Sequence, residues 1–88
     1  MTYIRITQDF IDLTKFSQIS ELLVELDEKG TPKREIGLNA DGAIVHMFPK
    51  DKFKYGKHGI LDLSQFDLSS IDGDDLSPEV FNSNWSRQ

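Results

Sequence analysis

The sequence predicts an α+β fold, a small antiparallel sheet of about four strands with a C-terminal helix on one face. Apolar runs separated by turn residues, an Asp-Gly pair between two of these runs, and a Ser-Pro-Glu helix start near the end all favour it. The 88 residues are the length of one small domain, which we assign to residues 1–88.

The first two elements differ in their periodicity. Residues 3–7 alternate apolar and polar side chains, and four of the five are β-branched or aromatic, which predicts a strand. Within residues 9–20, Phe10, Leu13 and Phe16 recur at a spacing of three. That spacing predicts a short N-terminal helical segment.

Residues 21–29 fit two structures. Their leucines form a helical stripe that would end before Gly30, while Leu22, Val24 and Leu26 equally line one face of a strand. We favour a strand over 21–27, because turn residues follow it and further apolar runs lie beyond them.

Those further runs predict a meander. Residues 33–39 and 43–48 are joined by a turn that contains Asp41-Gly42, and Asp-Gly is a strong hairpin signal because glycine readily adopts positive φ.

The last element is predicted to be a helix over residues 78–87. Ser77 suits the N-cap, Pro78 the first helical position, and Glu79 the positive end of the helix dipole. The expected core combines apolar residues of the strands and of this helix: Ile4, Ile6, Leu22, Val24, Leu26, Ile36, Leu38, Val45, Phe81 and Trp85.

Charge is distributed unevenly along the chain. The formal net charge is −5, but residues 29–58 hold seven basic and three acidic groups, whereas residues 59–88 hold Arg87 and six acidic groups. An acidic surface of this kind would favour a basic partner, since complementary charge accelerates association. The candidate partner-binding residues are the six acidic ones: Asp62, Asp67, Asp72, Asp74, Asp75 and Glu79. Phe66 and Trp85 are candidate apolar anchors beside them.

Catalytic and cofactor motifs are sparse. The chain has no Cys, no Gly-x-Ser-x-Gly motif and no glycine-rich phosphate loop. His46 falls inside a predicted strand, where we expect a partly buried or edge histidine rather than a catalytic base. Residues 72–75 lack the spacing of an EF-hand loop and are interpreted as an acidic turn. We therefore expect a protein that is not an enzyme and that has neither a metal nor a cofactor.

One basic segment suggests an alternative function. Residues 50–58 interleave two aromatic residues with Lys50, Lys52, Lys54 and Lys57, a composition that suits single-stranded RNA. Because the chain as a whole is acidic, we expect no nucleic-acid partner, and RNA binding through these lysines stays the alternative, beside a structural interaction subunit.

Part of the sequence resembles a known class of bacterial proteins. The segments are LDEKGTPKREIG at 26–37, DGAIV at 41–45, and LSPEVF at 76–81 continuing to Trp85. They are similar to small immunity proteins of polymorphic toxin and contact-dependent growth inhibition systems. That resemblance implies strands around an acidic turn, a C-terminal helix and a cognate toxin as partner, and it supplies no catalytic residue.

These observations lead to one functional expectation. An immunity protein would neutralise a toxin domain, here a nuclease, by occluding its basic active site with an acidic surface. No stretch of the chain reaches 18 apolar residues, and its first residues lack the pattern of a signal peptide, so we expect no membrane partner and a cytoplasmic location.

Overall fold

A computed structural model of the protein describes residues 1–7, 19–50 and 73–87, which form five strands and one helix. The elements are β1 (Thr2–Thr7), β2 (Glu21–Leu26), β3 (Pro32–Leu38), β4 (Ile44–Phe48), β5 (Asp74–Asp75) and α1 (Pro78–Trp85). The strands form a single antiparallel sheet in the order β4-β3-β2-β1-β5. The predicted α+β class, meander and C-terminal helix are therefore confirmed.

Three predicted details need comment. Residues 21–26 are a strand, so the helical alternative for this segment is wrong. Asp74 and Asp75 pair with β1 as a fifth strand, so these two residues are not the predicted plain turn. The predicted helical segment over 9–20 lies outside the described residues except for Ile19 and Ser20, which are not helical.

Two tight turns fix the register of the meander. Gly30 and Gly42 have φ values of +81° and +82°, a left-handed conformation that other residues adopt at a cost. In each turn a side-chain oxygen, from Asp27 in the first and Asn39 in the second, accepts two backbone N–H groups at 2.9 Å. Asx turns of this kind explain why both breaks in the apolar pattern became hairpins.

The two faces of the sheet carry different residues. On one face, α1 packs through Phe81 onto a cluster with Leu23, Ile36, Leu38 and Met47. On the opposite face, five side chains from β1, β2, β3 and β4 are also buried: Ile6, Leu22, Val24, Glu35 and His46. The central strands are therefore buried on both faces.

Close packing on the opposite face depends on Gly37. A Cβ atom at this position would lie 2.9 Å from Cβ of His46 and 3.0 Å from Cδ1 of Ile19. The missing side chain lets the imidazole and the isoleucine approach the strand backbone.

Most of the predicted core is buried. Ile4, Leu26, Val45 and Trp85 are half-buried instead. For Val45 the reason is a register shift that pairs Leu38 with Ile44. As a result Ile44, and not Val45, packs beside the core cluster.

Candidate functional site

Three of the six predicted partner-binding residues lie in the described part of the chain. Asp74 and Asp75 form β5, Glu79 lies in the first turn of α1, and all three are exposed. We call this group the acidic edge. Asp62, Asp67 and Asp72, like the predicted apolar anchor Phe66, fall outside the described residues.

Local backbone structure holds the acidic edge in place. β5 pairs with β1 at Ile4 and Arg5, and the backbone N–H of Leu76 continues this ladder to the carbonyl of Tyr3 at 3.0 Å. The next residue, Ser77, caps α1 by accepting the backbone N–H of Val80 at 3.2 Å. Strand and helix are thus joined by a short, hydrogen-bonded corner.

Arg5 neutralises part of the acidic edge. Its Nη1 donates to Asp74 at 3.1 Å, and its Nε donates to Glu21 at 2.8 Å. The Glu21 carboxylate is the larger cause of a raised pKa for Arg5, with Asp74 adding to it. Since one guanidinium serves two carboxylates, negative charge is left over at this edge of the sheet.

Asp75 and Glu79 carry that remaining charge. Neither makes an ion pair with any residue in the three described ranges. A carboxylate in the first helical turn is favoured by the helix dipole, which accounts for Glu79 without a cation beside it.

A second charged group lies at the other end of α1. Lys50, two residues beyond β4, donates from Nζ to the carbonyl oxygen of Trp85 at 2.7 Å. Arg87, two residues beyond the helix, donates to the carbonyl oxygen of Gly42 at 3.1 Å. We call Lys50 and Arg87 the basic corner. Both bind carbonyl oxygens, so these contacts leave their formal charges in place.

Arg34 connects the helix to the sheet between these two groups. Its guanidinium binds Glu25 through two hydrogen bonds of 2.8 and 2.6 Å, and it reaches the side chain of Asn82 at 3.1 Å. Its Cζ lies 4.9 Å from the ring centroids of both Phe81 and Trp85. This contact combines an ion pair with cation–π stacking and orients α1 on the sheet.

Two alternatives from the sequence can be compared with these contacts. Lys50 lies 5.1 Å from the ring centroid of Trp85, so this ring carries Arg34 and Lys50 against it rather than an open stacking surface. Lys52, Lys54 and Lys57 lie outside the described residues. His46 is buried, and its Nε2 lies 3.1 Å from Oε1 of Glu35, a carboxylate that is 1% exposed.

The described residues contain neither a membrane-spanning helix nor a metal-binding cluster, and the comparisons with known proteins identify no family. Within residues 1–7, 19–50 and 73–87 no helix is long and apolar enough to cross a membrane, and no three potential ligand side chains converge on a metal position. Comparison of the chain with protein-family models, curated proteins and solved structures gives no match.

Two features of this surface were missed in the sequence. Val80 is an apolar residue next to Phe81 in the helix, yet its side chain is 47% exposed, whereas Phe81 is fully buried. The contacts of Lys50 and Arg87 near the end of α1 depend on how the helix packs on the sheet, which no local pattern reveals. A helical wheel centred on Phe81 and Trp85 would have placed Val80 towards the side of the stripe.

Proposed function

We propose that this protein binds and neutralises a basic partner protein through its acidic edge, in the manner of an immunity protein that occludes a toxin domain. The observation that carries the proposal is the position of Asp75 and Glu79. Both are exposed beside the hydrogen-bonded corner between β5 and α1, without an ion pair to any described residue. Exposed carboxylates at this edge can meet Lys or Arg side chains that a nuclease would otherwise use for phosphate.

The position of these carboxylates contributes to recognition as well as their charge. Carboxylates on mobile side chains attract a cation, but those attached to an ordered backbone also select its location, since less conformational entropy is lost on binding. Asp74 contributes in another way, because its ion pair with Arg5 joins β5 to β1. The toxin as partner and the cytoplasm as location follow the resemblance of residues 26–37, 41–45 and 76–81 to immunity proteins.

The proposal favours binding over catalysis. His46 is 7% exposed and contacts a buried carboxylate, an arrangement that suits a structural histidine. A general base must instead reach a substrate proton within hydrogen-bond distance.

Co-expression with the product of the adjacent reading frame tests the proposal. The two proteins are expected to co-purify, and this chain should restore growth to cells that produce the toxin. The double variant Asp75→Asn/Glu79→Gln should weaken the complex about 10-fold, since opposite charges across an interface contribute roughly 1 kcal/mol or more when partly desolvated.

A matched control removes the same residue types elsewhere. Asp41→Asn/Glu28→Gln neutralises one exposed carboxylate in each hairpin turn and should not weaken the complex. The proposal fails if the proteins do not associate, or if both double variants lose the same affinity, because the effect would then follow net charge and not the acidic edge.

A further inference from the structure

The acidic edge lies at the start of α1 and the basic corner lies at its end. The eight residues of α1 span about 12 Å at 1.5 Å per residue, so one short helix separates the two charged groups. α1 starts beside β5, crosses the face that carries Tyr3 and Arg34, and ends beside Lys50. The helix therefore has the exposed carboxylate of Glu79 in its first turn and the cations Lys50 and Arg87 near its end.

An exposed apolar residue lies on the same helix. Val80 is 47% exposed and directly follows Glu79. Asn82 and Ser83 are also exposed on α1 and are small and uncharged, so a partner can approach this surface closely without desolvating further charges. An apolar centre with charged groups at its margin is the usual composition of a protein-binding surface.

We infer that the exposed side of α1 is the centre of the interface, and that the partner presents charges of both signs, a cation facing Glu79 and a carboxylate facing Lys50 and Arg87. This inference rests on the proposed function and specifies the partner surface. A uniformly basic cleft would meet repulsion from Lys50 and Arg87, neither of which contacts a carboxylate within the described residues. Two opposed charges also fix the orientation of the bound partner, since a reversed pose would bring like charges together.

Neutralising the basic corner distinguishes the two kinds of partner. The probe is the product of the adjacent reading frame, purified from its complex with this chain, and the readout is the association rate constant at low salt. With a two-sign partner surface, Lys50→Gln/Arg87→Gln should slow association about 3- to 10-fold, because an attractive pair is lost. With a uniformly basic partner, the same variant should associate faster, which would overturn the inference.

A second pair of lysines controls for net charge. Lys29→Gln/Lys33→Gln removes one positive charge in the β2–β3 turn and one at the start of β3, where Lys33 lies 3.7 Å from Asp27, and should leave the rate within about 2-fold of the wild type. Equal changes in both double variants would show that net charge alone steers association, and would also overturn the inference. Glutamine at position 50 keeps an N–H donor for the Trp85 carbonyl, and the fluorescence of Trp85, the single tryptophan, reports whether α1 stays docked.

Val80→Ala tests the apolar centre. It should raise the dissociation rate constant several-fold and leave the association rate constant unchanged, because a short-range contact is removed without a change in charge. An unchanged dissociation rate would remove α1 from the interface. If Lys50→Gln/Arg87→Gln does not slow association while Asp75→Asn/Glu79→Gln still weakens the complex, the two-sign partner surface is wrong and the proposed function stands.

Discussion

At the scale of single residues, Arg34 links α1 to the sheet through several polar and aromatic contacts. Its guanidinium binds Glu25 on β2 and Asn82 on α1, and it lies against the rings of Phe81 and Trp85. Glu25 is 5% exposed and also accepts a hydrogen bond from the Tyr3 hydroxyl at 2.8 Å. A buried carboxylate of this kind is stable in the charged state because its partners satisfy it.

Replacing Glu25 tests this network. Glu25→Gln leaves Arg34 without its counter-charge and should lower the free energy of unfolding at pH 7 by about 2–3 kcal/mol, measured by urea denaturation. Glu28→Gln, at an exposed position in the adjacent turn, should change it by less than about 0.5 kcal/mol.

The effect of Glu25 depends on pH. Hydrogen bonds from Arg34, and then from Tyr3, hold the pKa of Glu25 below its ordinary value of about 4.3 in spite of burial. A carboxyl group whose pKa is lower in the folded state contributes stability above its unfolded pKa and loses it as the pH falls through the folded pKa. The stability difference between wild type and Glu25→Gln should therefore shrink below about pH 4. A constant difference down to pH 2 would contradict this account.

These polar contacts could not be predicted from the sequence. Alternation indicated that Leu22, Val24 and Leu26 share one face of β2, and it placed Glu25 on the other face, which is normally solvated. Since α1 covers that face, Glu25 is buried and Leu23 joins the core. Glu35 and His46 are buried on the opposite face of the sheet. Alternation along a strand does not indicate that both of its faces are buried.

At the scale of elements, α1 depends on the sheet for its stability. An eight-residue helix is marginal by itself, even with Ser77 as cap and Pro78 at its first position. Phe81 supplies the apolar contact, with its ring centroid 5.2 Å from that of Tyr3 and 6.2 Å from that of Trp85.

Neighbouring helix residues should differ sharply in their effect on stability. Phe81→Ala should cost about 3–5 kcal/mol of unfolding free energy, as expected for a fully buried aromatic ring, and should shift the fluorescence of Trp85. Val80→Ala, at a position that is 47% exposed, should stay within about 0.5–1 kcal/mol of wild type. Equal losses in thermal or urea unfolding would show that α1 is oriented differently.

The elements with strong local signals were predicted within two residues at either end. The Asp41-Gly42 hairpin and the Ser77-Pro78 helix start have turn and cap chemistry of their own, and both were confirmed. β5 was missed because a two-residue strand has no periodicity, and its pairing with Ile4 and Arg5 spans about 70 residues of sequence.

At the scale of the whole molecule, the net charge of −5 conceals a separation of charge in space. The sequence indicated a basic middle and an acidic last third, and it identified the exposed residues Asp74, Asp75 and Glu79 as members of the latter. It could not show that Lys50 lies at the far end of α1, since this depends on how the helix packs on the sheet.

The salt dependence of association tests the central claim most directly, namely that fixed surface charge guides a protein partner to this molecule. Between about 50 and 500 mM salt, the association rate constant with the product of the adjacent reading frame should fall at least 10-fold, while the dissociation rate constant changes little. Asp75→Asn/Glu79→Gln should flatten this dependence. An association rate that does not respond to salt, or a dependence that the double variant leaves intact, would contradict the account.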